Sequence, residues 1–198
     1  MTDRPETPTG RAFAAAVDEH LAVMTAARAA LMEPMERARA LLAATVASGG
    51  RVLACGNGGS AADAQHFIAE LVGRFEHERP AIGGVALTTD TSILTAVAND
   101  YGYDRIFARQ VEAVGRRGDA LVAISTSGNS ASVVRAAEVA RDAGLKVLGL
   151  TGEGGGQLAA LADVLLAVPS RRVSRIQEVH ELCLHTLAEL LEGAEIAR

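Results

Sequence analysis

Five short apolar runs restrict the folds open to this chain. They lie at Val52–Cys55, about 82–87, Ala120–Ile124, Lys146–Leu150 and Val164–Val168. Each is a continuous run, without alternation of apolar and polar residues. A strand with one wet face alternates, whereas a strand covered on both faces does not. The intervening stretches are helix-forming and long enough for crossover connections. This pattern predicts a doubly wound α/β domain around a five-stranded parallel sheet. Aromatic residues make up only 3% of the chain and Trp is absent. The layers must therefore pack through Ala, Leu, Val and Ile.

The segment ahead of the first strand has another character. Residues 1–10 are polar with two prolines and read as a frayed tail. From Arg11 to Ser48 the chain is rich in Ala, Leu, Met, Glu and Arg. Pro34 should break this stretch near Glu33, giving one helix at about 11–30 and another at about 35–47. Residues 1–48 thus read as a tail and helices that pack on the core or on a partner subunit. Residues 49–198 read as the α/β domain, closed by a long helix from about Arg175 to Leu191.

Composition excludes several classes. The net charge is −5 with no basic block, which argues against nucleic acid as the main partner. No apolar run approaches a membrane span, so no membrane partner is expected. Cys55 and Cys183 both sit in apolar surroundings and read as buried thiols. With no leader pattern in MTDRPETPTG, a cytoplasmic location is expected.

In doubly wound sheets, ligands bind outside the carboxyl ends of the strands. The loops at 56–60, 88–92, 125–130 and 151–156 fall on that edge. Gly56, Gly58 and Ala61 fit a dinucleotide fingerprint. Its acidic partner should follow by roughly 20 residues. Asp90, the nearest match, comes too late, so that reading is poor. The loop Ser125-Thr126-Ser127-Gly128-Asn129-Ser130 is more informative. Its hydroxyls, and the free N–H groups of the helix that follows, can hold a phosphate monoester without a lysine. Asp90 or Thr91 can cap the helix that starts near Ser92.

His66 and Glu70 are four apart and share a helix face. They make half of a metal or acid–base site that must be completed from elsewhere. Gln177, His180, Glu181 and His185 are the candidates on the terminal helix.

The strings CGNGGSAADAQHFIAELVGRF, AVAND at 96–100, AISTSGNS at 123–130, TGEGGGQLA at 151–159 and RIQEVHELCLH at 175–185 together resemble the phosphoheptose isomerases. These belong to the sugar isomerase (SIS) superfamily. The resemblance runs in order over roughly residues 35–190. It implies an aldose–ketose isomerase converting sedoheptulose 7-phosphate to D-glycero-D-manno-heptose 7-phosphate through an enediol. A non-catalytic SIS module that senses a sugar phosphate or binds a protein is the alternative. The resemblance implies one divalent cation per site, zinc as a rule, on His66, Glu70, Gln177 and His185. Glu70 and His185 would also move protons, and His180 would be structural. Asn57, Gly58, Gly59, Ser60, Arg74, Asp90, Thr126 and Gln177 would line the sugar pocket. Ser125, Ser127 and Ser130 would hold the phosphate. A homotetramer with active sites between subunits is implied as well. Ser174 replaces an aspartate common in the family and Ile93 a histidine. Both departures bear on sugar preference rather than reaction type.

Overall fold

The computed structural model describes residues 7–193. The apolar runs form one parallel sheet from β1 (Val52–Gly56), β2 (Gly84–Ala86), β3 (Ala120–Ile124), β4 (Lys146–Thr151) and β5 (Val164–Ala167). The strand order is β2-β1-β3-β4-β5. The chain direction across the sheet reverses between β1 and β3, so a crevice opens beyond their carboxyl ends. Gly56 pairs with Ile124 at that edge, which brings the glycine loop and the serine loop to the same place. The second strand is shorter than the apolar run around it. Gly83 and Gly84 are poor strand residues, and Ile82 donates to the Leu71 carbonyl instead of extending the ladder.

Helices cover both faces. On one side lie α1 (Pro8–Ala47), α2 (Gly59–Val72) and α6 (Val173–Gly193). They close a core that includes Leu42, Phe67, Leu71, Ile124, Leu148 and Leu184. On the other side lie α3 (Thr91–Tyr101), α4 (Ala108–Val114) and α5 (Ala131–Asp142), around Leu53, Phe107, Leu121, Val133 and Val147. Small residues do much of this packing: Ala54, Ala120, Ala123, Ala136 and Ala137 are wholly buried. Cys55 and Cys183 are buried free thiols, each pushed up to about 12 by desolvation. Among the described residues no helix is long and apolar enough to cross a membrane.

The N-terminal segment departs from expectation. Residues 1–6 of the expected tail lie outside the described residues, and the helix already begins at Pro8, capped by Thr7. Pro at the first helical position lacks only an N–H that would be unpaired anyway. Pro34 does not divide the segment, because α1 is one helix of 40 residues. The proline removes the donor for the Ala30 carbonyl, a local cost. Ala27 and Leu31 before it, and Ala38 and Leu42 after it, are buried in one core. Packing on both sides of the proline holds the helix in line.

His180 on α6 is wholly buried and donates from Nε2 to the Thr151 carbonyl at 3.0 Å. Its Nδ1 has no partner. Burial pushes its pKa down to about 4, against a small opposing effect of the Thr151 bond. The folded state therefore prefers the neutral ring. Above the unfolded value near 6.5 this costs nothing. As pH falls from there toward 4, the unfolded chain takes up a proton that the folded chain refuses, and stability drops by up to roughly 3 kcal/mol. Thermal melts between pH 7 and pH 4 should show this loss, and His180→Gln should flatten the slope. Equal slopes in both proteins would show that His180 does not set it.

Candidate active site

Helices α2 and α6 run side by side in the same direction. The Gln177 amide lies against Gly59 at the start of α2, where an added Cβ would come within 2.5 Å of its Nε2. Further along, His66 Nδ1 is 2.5 Å from Glu181 Oε1. Near the ends, the Phe75 ring is tilted over His185, with centroids 5.4 Å apart. The i,i+4 spacing of His66 and Glu70 on one helix faces the i,i+4 spacing of Glu181 and His185 on the other.

Four groups meet there. His66 Nε2 is 3.0 Å from Glu70 Oε1, and His185 Nε2 is 3.2 Å from Glu181 Oε1. The two imidazoles contact edge to face at 4.9 Å. Ligand atoms of His66, Glu181 and His185 all lie within 4.8 Å of one another. One turn before His66 stands Asp63, whose buried Oδ2 has no hydrogen-bond partner. Burial first, and then the charge of Glu181, raise the Asp63 carboxyl to about 6, with His66 opposing. Three acids around two imidazoles, one of them with an orphaned oxygen, suit a divalent cation. Nitrogen and carboxylate donors are those zinc accepts. The side chains of His66 and His185 remain 45% and 38% exposed, which leaves an open side for substrate.

Most of the remaining expected residues line the sheet edge, but Arg74 stands at the far end of α2 from it. The glycine loop ends β1, and Asn57 Nδ2 donates to Ser132 Oγ at 2.9 Å across the crevice. Tyr103 hydroxyl donates to Asn57 Oδ1 at 2.8 Å, so the amide is held from both sides. Gly58 and Gly59 are exposed while Ser60 is buried. Asp90 caps α3 by accepting from the Ile93 N–H at 2.9 Å. Arg74 donates to the Glu76 carbonyl and lies 3.9 Å from Glu78, on the loop after α2.

In the serine loop, buried Ser125 places its Oγ 3.0 Å from Ser130 Oγ and 3.5 Å from Ser127 Oγ. Three hydroxyls thus converge. Ser130 is the N-cap residue of α5 but its side chain makes no capping bond. That leaves first-turn N–H groups of α5 to an outside acceptor. Thr126 accepts at its carbonyl from Gly152 N–H, and the Gly128 carbonyl accepts from Leu158 N–H. The glycines after β4 are a buttress packed under this loop.

Glu181 is the residue that the ligand set from resemblance leaves out. It stands four before His185, the spacing that singled out His66 and Glu70, so the signal was present in the sequence. It touches both imidazoles. Glu181→Gln should lower affinity for a divalent cation by about 10- to 100-fold, whether the carboxylate binds the ion or orients the rings. Competition with a chromogenic chelator would measure it, and unchanged affinity would remove Glu181 from the site.

The chain matches the SIS domain over residues 16–152. It is 60% identical to the phosphoheptose isomerase of Bordetella avium (strain 197N), an alignment covering 83% of this chain and 85% of that one. The chain belongs to the phosphoheptose isomerase family. The likeness extends to solved structures. The Neisseria gonorrhoeae phosphoheptose isomerase is 46% identical with a TM-score of 0.88, over 93% of this chain and 98% of that one. The Francisella tularensis phosphoheptose isomerase is 37% identical with a TM-score of 0.92, over 95% and 100%. Family membership extends over the elements that carry both candidate half-sites, since these alignments include nearly the whole fold.

Proposed function

We propose that this chain is a metal-assisted aldose–ketose isomerase acting on sedoheptulose 7-phosphate. One observation carries the reading: imidazoles and carboxylates from α2 and α6 meet beside an open face. A sugar-phosphate sensor has no need of that cluster.

The serine loop and the N-terminus of α5 take the phosphate. Asn57, Gly58, Gly59, Ser60, Thr126 and Gln177 border the sugar, with Arg74 and Asp90 at its margins. The phosphate anchors one end of an extended substrate, so the carbonyl end is presented to the helices. Glu70 takes a proton from C1, beside the C2 carbonyl. His185 gives a proton to the carbonyl oxygen, which completes the enediol. Glu70 then returns a proton to C2 while His185 accepts the proton of the C1 hydroxyl, leaving the aldehyde. A divalent cation, zinc by family habit, would be held by the clustered His66, Glu181 and His185, with Glu70 and Gln177 the further donors that the resemblance names, and would supply stabilisation of the negative charge that develops on substrate oxygen.

Exposed Phe13, Leu21 and Met32 on α1, and Leu182 and Leu190 on α6, support assembly of copies of this chain. Met32, Leu182 and Leu190 line an apolar groove of about 450 Å³ between the two helices. A homotetramer is the proposed state, and sedimentation giving a monomer at micromolar concentration would dismiss it.

The activity is tested by incubating chelator-treated and cation-reloaded protein with sedoheptulose 7-phosphate and following aldose formation by NMR. Turnover that disappears on chelation and returns with the metal supports the reading. Equal turnover in both samples removes the metal from it.

A further inference from the structure

The loop between α2 and β2 is charged and carries no regular structure, yet it is tied down at one point. Glu192, in the last turn of α6, has a side chain only 3% exposed. Its Oε1 accepts from the Phe75 N–H at 2.9 Å. Its Oε2 accepts from the N–H groups of Glu76 at 2.8 Å and His77 at 2.7 Å. Three successive backbone donors thus surround one carboxylate. His77 Nδ1 adds a contact at 3.3 Å, and Arg79 Nε lies 3.7 Å from Oε1. Arg79 in turn donates to the carbonyls of Glu70 at 2.6 Å and Leu71 at 2.9 Å. Those carbonyls are in the last turn of α2, where no intrahelical donor remains.

We propose that Glu192 is a positioning residue: it clamps the 75–79 loop between the ends of α2 and α6 and so sets the spacing of the two half-sites. The connection is continuous. Glu192 holds Phe75, and Phe75 packs on the ring of His185. Glu192 lies beside Arg79, and Arg79 holds the backbone of Glu70. Arg74, the expected sugar contact, is the residue just before the clamped amides. One carboxylate therefore reaches a residue of each half-site, through Phe75 on one side and Arg79 on the other. Burial would raise this carboxyl, but the N–H groups of His77, Glu76 and Phe75, with the His77 ring, outweigh it and hold it down to about 2. The group is a permanent anion at any working pH.

The proposal rests on the isomerase reading for its catalytic consequence, though not for its structural one. The test compares Glu192→Gln with Glu189→Gln, an exposed neighbour on the same helix. Three quantities are read: hydrogen exchange of the amides at 75–77, affinity for Zn²⁺ by chelator competition, and kcat with KM at saturating metal. Glu192→Gln keeps the shape but offers an N–H₂ where donors already point. It should speed exchange at 75–77 by about tenfold, weaken Zn²⁺ binding about tenfold and lower kcat by a similar factor, with the fold intact. Glu189→Gln should change none of these. Unchanged exchange and unchanged Zn²⁺ affinity in Glu192→Gln would overturn the proposal. So would a variant that fails to fold, which would make Glu192 a determinant of the fold rather than of the site. If the unmodified protein does not turn over sedoheptulose 7-phosphate, the isomerase reading fails, and exchange and Zn²⁺ affinity still decide the clamp.

Discussion

Glu70→Gln should lower turnover about a thousandfold at saturating metal while leaving KM for the sugar phosphate nearly unchanged. Glu70 stands on the open side of the α2–α6 seam with its side chain 21% exposed, against His66 Nε2. The amide has the same shape and can still meet that imidazole, so the seam should keep its packing. What it cannot do is accept a proton from carbon. The proposed phosphate cradle is a separate loop between β3 and α5 and is untouched, which is why KM should hold. Steady-state kinetics by NMR, with metal saturation checked independently, separates loss of the base from loss of the ion. Full turnover in Glu70→Gln would remove it as the base.

Gly128→Ala should be the most damaging change in the serine loop. Gly128 has φ of +66°, and a Cβ there would fall 2.0 Å from the Gly155 carbonyl oxygen and 2.9 Å from the Gly156 nitrogen. Both neighbours are backbone, so neither can swing aside. The serine loop and the glycine buttress must separate, with loss of the Leu158 N–H bond to the Gly128 carbonyl. A cost of about 3–5 kcal/mol and a Tm lower by roughly 10 °C are expected, with phosphate affinity lost at the same time. Gly154→Ala is the matched control. Its φ is +83°, but nothing lies within 4 Å of the added Cβ. Only the backbone strain of about 1 kcal/mol should appear there. Similar melting temperatures for the two variants would mean that the buttress does not support the loop.

The sheet was legible because its strands are buried on both faces and are therefore written as uninterrupted apolar runs. Their order was not, since it depends on contacts between residues far apart in sequence. Pro34 marks another limit. Local chemistry assigns it a break, and only the shared core of Leu31 and Leu42 explains why α1 continues through it. At the site, His66 and Glu70 were readable as a face of one helix. Their pairing with Glu181 and His185 needed the parallel docking of α2 and α6, which no local pattern encodes. Asp90 was expected both as a cap and as a sugar contact, and its bond to Ile93 N–H documents the first. The clamp at Glu192 was illegible for a plainer reason. Three of its partners are backbone N–H groups, and backbone carries no residue signature.

The account's central claim is that the groups of α2 and α6 move a proton between C1 and C2 of a ketose phosphate. Converting sedoheptulose 7-phosphate in D₂O with metal-loaded protein tests this most directly. A partly exposed Glu70 exchanges its proton with solvent, so the aldose formed should carry deuterium at C2, seen by NMR as loss of the C2 proton signal. Absence of any aldose would contradict the account, and an aldose whose C2 hydrogen comes wholly from C1 of the substrate would replace proton transfer through Glu70 with a direct hydride shift.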